Sequence, residues 1–322
     1  MPVLNEAGFI KRSLGAVLAQ AYPPELLEVL VVDGGSTDAT CAIVQTLMAG
    51  RANLRLLHNP RRIQAAAMNI GLAAAQGEII VRVDGHTIIA PDYVSQCVRL
   101  LVTGRADNVG GMMRACGQTY VGQAVALATT SPFGIGGSKF HYTDREQEVD
   151  TVYLGAYRRE IFDKIGWYDE WVNINEDYEL NYRLRAAGGR ILLSPLVKST
   201  YVPRSSFWAL WRQYFKYGTV KVRTLQKHPA SLQWRQAVAP LFVAVLLAGL
   251  LVGWCWRPVR WLLGVVGGSY SLAALLASAV ASRRGGWRYF PVLPAVFAAI
   301  HLAWGLGFWY GLLGVLARWV AR

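Results

Sequence analysis

Three short stretches carry side chains able to do polar chemistry. The run Val32-Asp33-Gly34-Gly35-Ser36-Thr37-Asp38 ends an apolar segment on a carboxylate and follows it with a loop that can fold closely under a ligand. Asp33 there can accept hydrogen bonds from a base or sugar, while Ser36 or Asp38 can equally cap a helix starting at Thr40. Asp84-Gly85-His86 sets a carboxylate and an imidazole two residues apart. Such a pair can converge on one divalent cation, and Mg2+ or Mn2+ would take further oxygen ligands from substrate phosphates. Taken alone, the same tripeptide is also an ordinary solvated turn. Glu176-Asp177 offers a carboxylate to take a proton from an attacking hydroxyl. Adjacent acids at a helix start are also stabilised by the helix dipole alone. Neighbours on a helix point in different directions, so only one of the two can be the base. Neither G-x-G-x-x-G nor a P-loop occurs, so dinucleotide and nucleoside-triphosphatase readings lack their fingerprints.

The elements that must position these groups alternate. Residues 28–33, 53–58 and 78–84 read as buried strands, and 40–48 and 63–75 as helices. That alternation predicts an α/β domain with a mostly parallel sheet covered by helices. In such sheets ligands bind beyond the carboxyl ends of the strands, where Asp33 and Asp84 fall. The four cysteines have no C-x-x-C spacing, which excludes a thiolate zinc site and predicts reduced thiols.

Charge divides the 322 residues unevenly. All 20 carboxylates lie at or before Glu179, whereas 18 of the 33 Lys and Arg follow it without one acid. From Gln236 on, basic residues only punctuate apolar runs, at about 236–256, 261–282 and 289–317. Each reaches the roughly 20 residues needed to cross a hydrocarbon core. Leu, Val, Ala and Gly fill all faces of these runs, which predicts three transmembrane helices and not buried helices of a soluble core. Ahead of them Lys198, Arg204, Arg212, Lys216, Lys221, Arg223, Lys227 and Arg235 interleave with Trp208, Trp211, Tyr214, Phe215, Tyr217 and Trp234. The positive-inside bias places this collar, and the domain before it, on the cytoplasmic side of an inner membrane. Its mixture suits a headgroup layer and contact with membrane lipids, and the adjacent spans argue against nucleic acid as partner. The expected organisation is a cytoplasmic catalytic domain over 1–205, an amphipathic interface segment over 206–235 and a membrane domain over 236–322.

Six motifs in order, Pro2-x-x-Asn5-Glu6, Val32–Asp38, Arg61-Arg62 with Asn69-x-Gly71, Asp84-Gly-His86, Gly155–Arg159 and Asn175-Glu176-Asp177, resemble the family 2 glycosyltransferases. The resemblance covers about residues 1–205. Within that family the chain most resembles the membrane-bound, succinoglycan-type (ExoA-like) enzymes of exopolysaccharide biosynthesis. That likeness rests on the Asp-Gly-His motif, on Phe133–Gly136 through Tyr157, on Arg212–Gly218 and on the three apolar runs. The resemblance implies a GT-A fold, a doubly wound mixed sheet, and inverting transfer from a UDP-sugar, with glucose the expected sugar. It also implies site residues. Pro2, Glu6 and Asp33 would belong to the nucleotide-sugar site, with Glu6 and Asp33 on ribose and base and Asp38 supporting the loop that follows Asp33, and Arg61 or Arg62 would lie along the nucleotide with Asn69 in the same motif. Asp84 and His86 would hold Mg2+ or Mn2+ on the diphosphate. Asp177 would be the base, with Glu176 its neighbour. The acceptor expected from a basic, aromatic interface is a glycan on a polyprenyl diphosphate.

His86 stands where an acidic residue is common in this family, and no Gln-x-x-Arg-Trp signature of processive synthases occurs, which points to single addition. A non-catalytic membrane subunit and a membrane-tethered nucleotidyltransferase are the alternatives left by sequence. The strand expected before Pro2-Val-Leu-Asn-Glu6 reads as missing, because Met1 sits where it should be ending. A central strand lost from such a sheet would leave ladder groups unpaired, so the natural chain is expected to begin several residues upstream.

Overall fold

The computed structural model describes residues 1–320. The chain folds as two compact units: Met1–Arg114 with Lys139–Tyr201, and Ala115–Ser138 with the chain from Val202 on.

In the first unit, β1 (Pro2–Val3), β2 (Val29–Asp33) and β3 (Leu54–His58) form a parallel sheet, with Val3 opposite Asp33 and Asp33 opposite His58. The helices α1 (Ile10–Leu18), α2 (Thr40–Met48) and α3 (Gln64–Ala74) connect and follow these strands. The short N-terminal strand is present: the Val32 N–H donates to the Met1 carbonyl, and the Met1 amine donates to the Leu30 carbonyl at 2.8 Å.

The remaining strands make a second sheet, in which the order is β4 (Ile79–Val81), β8 (Tyr153–Arg158), β6 (Asn108–Ala115), β9 (Ile191–Tyr201), β5 (Thr87–Ile89), with β7 (Gln147–Glu148) beside β9. Its β4–β8, β6–β8, β5–β9 and β7–β9 pairs are antiparallel. The expectation of a mostly parallel sheet therefore holds only for the first three strands, and the architecture is mixed. Strand–helix alternation read from the first 84 residues does not extend to the later pairings.

The helices of this region are α4 (Tyr93–Val102), α7 (Glu160–Ile165) and α8 (Glu176–Ala186). One apolar core gathers Val3, Ile10, Leu14, Val31, Val83, Tyr93 and Ala156, and another gathers Ala65, Tyr157, Phe162, Tyr168 and Leu180. The carboxyl ends of β2 and β4 thus rest on packed side chains, which fixes the groups that follow them.

In the second unit, α5 (Tyr120–Thr129) and α6 (Pro132–Ile135) pack with the later helices α9 (Phe207–Lys227), α10 (Trp234–Val252), α11 (Arg257–Gly285) and α12 (Leu293–Val320). Sequence grouped residues 115–138 with the first 205. They lie here because Ala124, Val125 and Ala128 of α5 have no polar face to show water, and bury against Leu210, Val296 and Phe297.

Helices α10, α11 and α12 are long and apolar enough to cross a membrane, close to the three expected spans. Residues 206–235, expected as an interface segment, include the 21-residue α9. It packs on α12 through small residues: a Cβ on Gly218 would collide with the Trp304 carbonyl, and one on Gly307 with the Phe215 carbonyl. Close backbone approach of this kind is how helices associate where the hydrophobic effect is weak.

Candidate active site

The Asn5–Ala7 segment and the Asp33–Thr40 loop clasp each other after β1 and β2. The Asn5 N–H donates to Ser36 Oγ and the Glu6 N–H to Thr40 Oγ1, both at 2.8 Å, while Asn5 Oδ1 accepts the Thr37 N–H. Asp38 accepts from the Ala7 and Thr40 N–H groups and the Thr40 hydroxyl. That hydroxyl, followed by the backbone donors, holds the Asp38 carboxyl below its ordinary value. Asp33 turns onto its own loop, accepting from Gly35 N, Ser36 N and Ser36 Oγ. Burial alone would raise its pKa, but these donors override that and lower it. Arg62 reaches the same loop, its Nη2 donating to the Gly35 carbonyl at 3.2 Å.

Among the described residues, Asn5, Arg62 and Asn175 are three of the four non-glycine positions with positive φ, and each adjoins a motif singled out in the sequence. Strained backbone of this sort persists where surrounding contacts over-determine it, and it clusters at functional sites.

Beyond β4, Asp84, Gly85 and His86 form a tight turn closed by the Thr87 N–H on the Asp84 carbonyl. His86 Nδ1 lies 2.8 Å from Glu6 Oε1. An ionised carboxylate only accepts, so Nδ1 is the donor of this contact. Gly85 is required here: a Cβ would come to 2.9 Å from Glu6 Cγ and 3.1 Å from Val3 Cγ1.

Asp84 faces Arg82, whose Nε and Nη2 lie 2.9 and 3.3 Å from its two oxygens. Arg82 Nη1 lies 2.9 Å from Glu176 Oε1 but is not aligned for a hydrogen bond. Arg82, Asp84 and Glu176 are only 6%, 8% and 3% exposed. Burial would raise Asp84, yet the charge and bonds of Arg82 hold it below the usual carboxylate range. Glu176 and Asp177 go the other way: burial raises both, and Arg82 offsets it only in part.

Helix α8 carries that acidic pair, with Asn175 in a left-handed conformation just before it. A buried polar network anchors the helix. Asn181 Oδ1 accepts from Asn108 Nδ2 at 2.7 Å and from the Tyr157 hydroxyl at 3.1 Å, and Asn181 Nδ2 donates to Thr151 Oγ1 at 2.9 Å. Glu179 pairs with Arg183 one turn on, and Arg183 also reaches the Ile165 and Trp167 carbonyls. Glu176 is buried, whereas Asp177 is partly exposed.

The structure thus brings Glu6, Asp84, His86, Glu176 and Asp177 into one constellation through Arg82. Asp33, Asp38 and Arg62 shape the adjoining loop. Arg61 and Asn69 instead both hold Glu170, with Asn69 also spanning the backbone of Tyr168. Pro2 is buried in β1 opposite Val32. Sequence reasoning passed over Arg82 and Glu170. Arg82 had a signal, since it interrupts an apolar run two residues before Asp84, a spacing that puts both on one face of an extended chain. Glu170 had none.

Asp84 and His86 fit a divalent cation in one particular way. Among the described residues no three His, Cys, Asp or Glu side chains form a closed cage. One carboxylate, plus an imidazole oriented by Glu6 on its other nitrogen, suits an ion that keeps waters and takes its remaining ligands from a diphosphate.

Residues 1–166 match the family described as glycosyl transferase family 2. The succinoglycan biosynthesis protein ExoA of Rhizobium meliloti is 35% identical over 99% of this chain and 95% of its own length. A dolichyl N-acetyl-alpha-D-glucosaminyl phosphate 3-beta-D-2,3-diacetamido-2,3-dideoxy-beta-D-glucuronosyltransferase of Methanococcus voltae is 25% identical over 78% of this chain and 81% of its own. Among solved structures, mannosyltransferase PcManGT from Pyrobaculum calidifontis, in complex with GDP-Man and Mn2+, superposes with a TM-score of 0.62 at 21% identity. That match covers 96% of this chain and 86% of the other and shows a shared GT-A fold. With a family match over half its length and a relative aligned almost end to end, this chain is a member of glycosyl transferase family 2.

Proposed function

We propose that the protein is an inverting glycosyltransferase that moves a sugar, glucose by its likeness to the succinoglycan enzymes, from a UDP-sugar to a glycan on a polyprenyl diphosphate in exopolysaccharide biosynthesis. The observation that carries this reading is the pairing of a buried, ionised Asp84 with the raised acidic pair Glu176–Asp177 across one guanidinium.

The chemistry follows from what each group can do. Asp177, partly exposed and raised by burial, accepts the proton of the acceptor hydroxyl as it attacks the anomeric carbon. Attack opposite the leaving diphosphate inverts the configuration. Asp84 and His86 would hold Mg2+ or Mn2+, which when bound would supply charge stabilisation for that leaving group. Glu6 orients His86, and the Asp33–Asp38 loop with Arg62 cradles base and ribose.

Placement at the cytoplasmic face of an inner membrane follows from charge. Arg204, Arg212, Lys216, Lys221, Arg223 and Lys227 precede α10, and Arg283, Arg284 and Arg288 lie at the α11–α12 connection, against Arg257 and Arg260 in the first turn of α11 and Arg318 and Arg322 in the last residues of the sequence. Arg212 stacks over Trp208 at 5.7 Å, an aromatic–cation pair suited to a headgroup layer. A basic, acid-free surface of this kind favours an anionic lipid diphosphate.

The test is transfer of radiolabelled sugar from a panel of UDP-sugars into organic-extractable lipid, using membranes that contain the full chain and a lipid extract of the source cells. Metal-dependent label in lipid is the expected result. Absence of label from every donor would favour a non-catalytic subunit, and release of pyrophosphate from a nucleoside triphosphate would favour a nucleotidyltransferase. Gly85→Ala provides a finer check. Overpacking by one methyl costs about 1–3 kcal/mol, here placed on the Glu6–His86 contact. The Michaelis constant for the donor should therefore rise about tenfold, with the far-UV spectrum of the folded protein unchanged.

A further inference from the structure

We propose that Arg82 is a positioning residue that locks the donor-side carboxylate Asp84 and the acceptor-side pair Glu176–Asp177 into one unit, so that neither half of the site is in register without it. This rests on the glycosyl-transfer reading above and adds to it a residue without an assigned role. Three observations carry it. Arg82 is fully desolvated yet spends Nε and Nη2 on both oxygens of Asp84 and brings Nη1 to 2.9 Å from Glu176. Its backbone is pinned beside β8, the Arg82 N–H donating to the Gly155 carbonyl at 3.2 Å, so the guanidinium is directed by the sheet. Finally, Nη1 has a carboxylate within reach but no aligned hydrogen bond, leaving an N–H donor buried between the two halves of the site.

A planar fork can bridge two carboxylates at fixed separation, which a lysine ammonium on a flexible stem cannot. Without the guanidinium, the buried acids Asp84 and Glu176, from two segments distant in sequence, would face one another uncompensated. Removing one partner of such a set is far more disruptive than removing both. Arg82 touches neither the reacting carbon nor the attacking oxygen in this scheme; it acts through Asp84 and Glu176.

The experiment uses the full-length chain in detergent, as wild type, Arg82→Lys, Arg82→Met, Glu176→Gln and the Arg82→Met/Glu176→Gln double variant. Thermal unfolding, calorimetric titration of UDP with Mn2+, and initial rates of transfer into lipid are compared. We expect Arg82→Lys to fold and to lose at least tenfold in kcat and several-fold in UDP affinity. Arg82→Met should lower the unfolding temperature, and Glu176→Gln in the same chain should restore much of it without restoring transfer. The two substitutions should be non-additive in kcat, the double variant matching the weaker single. Arg82→Lys with wild-type kcat and UDP affinity would overturn the inference alone, as would Arg82→Met and Glu176→Gln effects that simply multiply. A wild-type chain that binds UDP but transfers no sugar would overturn the underlying reading and this inference with it. Should Arg82→Met not fold, Arg82→Lys decides.

Discussion

Asp177→Asn is expected to lower kcat by about 10²–10⁴-fold, the range a positioned general base supplies, while leaving UDP binding within a factor of two or so of wild type. The amide keeps the shape of the side chain and its contact with the Tyr178 N–H, but it cannot accept a proton. Radiolabel transfer and calorimetric UDP titration on the same preparation separate the two quantities. The pH dependence should carry the same signature. A base works only when deprotonated, and burial raises both acids of this pair. Wild-type transfer should therefore decline on acidification well above the value of about 4 at which an ordinary aspartate protonates. The two carboxyls lie side by side, so the limb reports the pair and not one residue. Asp177→Asn should flatten it. Full activity in Asp177→Asn, or an acid limb unchanged by it, would move the base elsewhere.

Asp84→Asn is expected to act on the opposite half of the reaction. Loss of a group that stabilises charge on the leaving diphosphate costs about 10²–10³-fold in rate, and here it should also cost donor affinity. In the wild type, Mn2+ should tighten UDP binding, and a chelator should weaken it and stop transfer. In Asp84→Asn the titration curves with and without Mn2+ should coincide. The contrast with Asp177→Asn is the informative part: one variant binds and does not react, and the other binds poorly whether or not metal is supplied. Metal-dependent UDP binding that survives in Asp84→Asn would exclude Asp84 as a ligand.

Much of this site was legible in sequence because its groups are local. Asp84-Gly-His86 forms its turn within three residues, and the identity of Gly85 follows from the close approach of Glu6, so the whole motif is recorded within one turn. Glu176-Asp177 starts a helix whose first turn is rich in acids, and the Asp33–Asp38 loop closes on itself by hydrogen bonds spanning two or three residues. Three apolar runs announced three long helices, because a segment without a polar face has few other places to go.

What sequence could not supply were relations between distant segments. The 115–138 stretch reads as an ordinary part of the catalytic domain until Ala124, Val125 and Ala128 are seen to bury against α9 and α12. The antiparallel half of the sheet was hidden because strand pairing depends on partners more than a hundred residues away, as with Thr87 opposite Tyr201, and no local period records it. Asn69 was read as a nucleotide contact from its motif, and only the folded chain shows its amide spanning Tyr168 and Glu170.

The sequence by itself carried the ordered motifs that resemble the family, the candidate acids and the three runs long and apolar enough to cross a membrane, since each is a property of residues within one turn or one apolar run. The tertiary structure alone decided that Arg82 stands between Asp84 and Glu176, that Glu176 is buried more deeply than Asp177, and that Arg82 overrides burial at Asp84 while offsetting it only in part at the acidic pair. The reason is physical: desolvation and the distance between charges are set by what the fold packs around each group, and residues 82 and 176 meet only when the sheet and α8 have closed on each other.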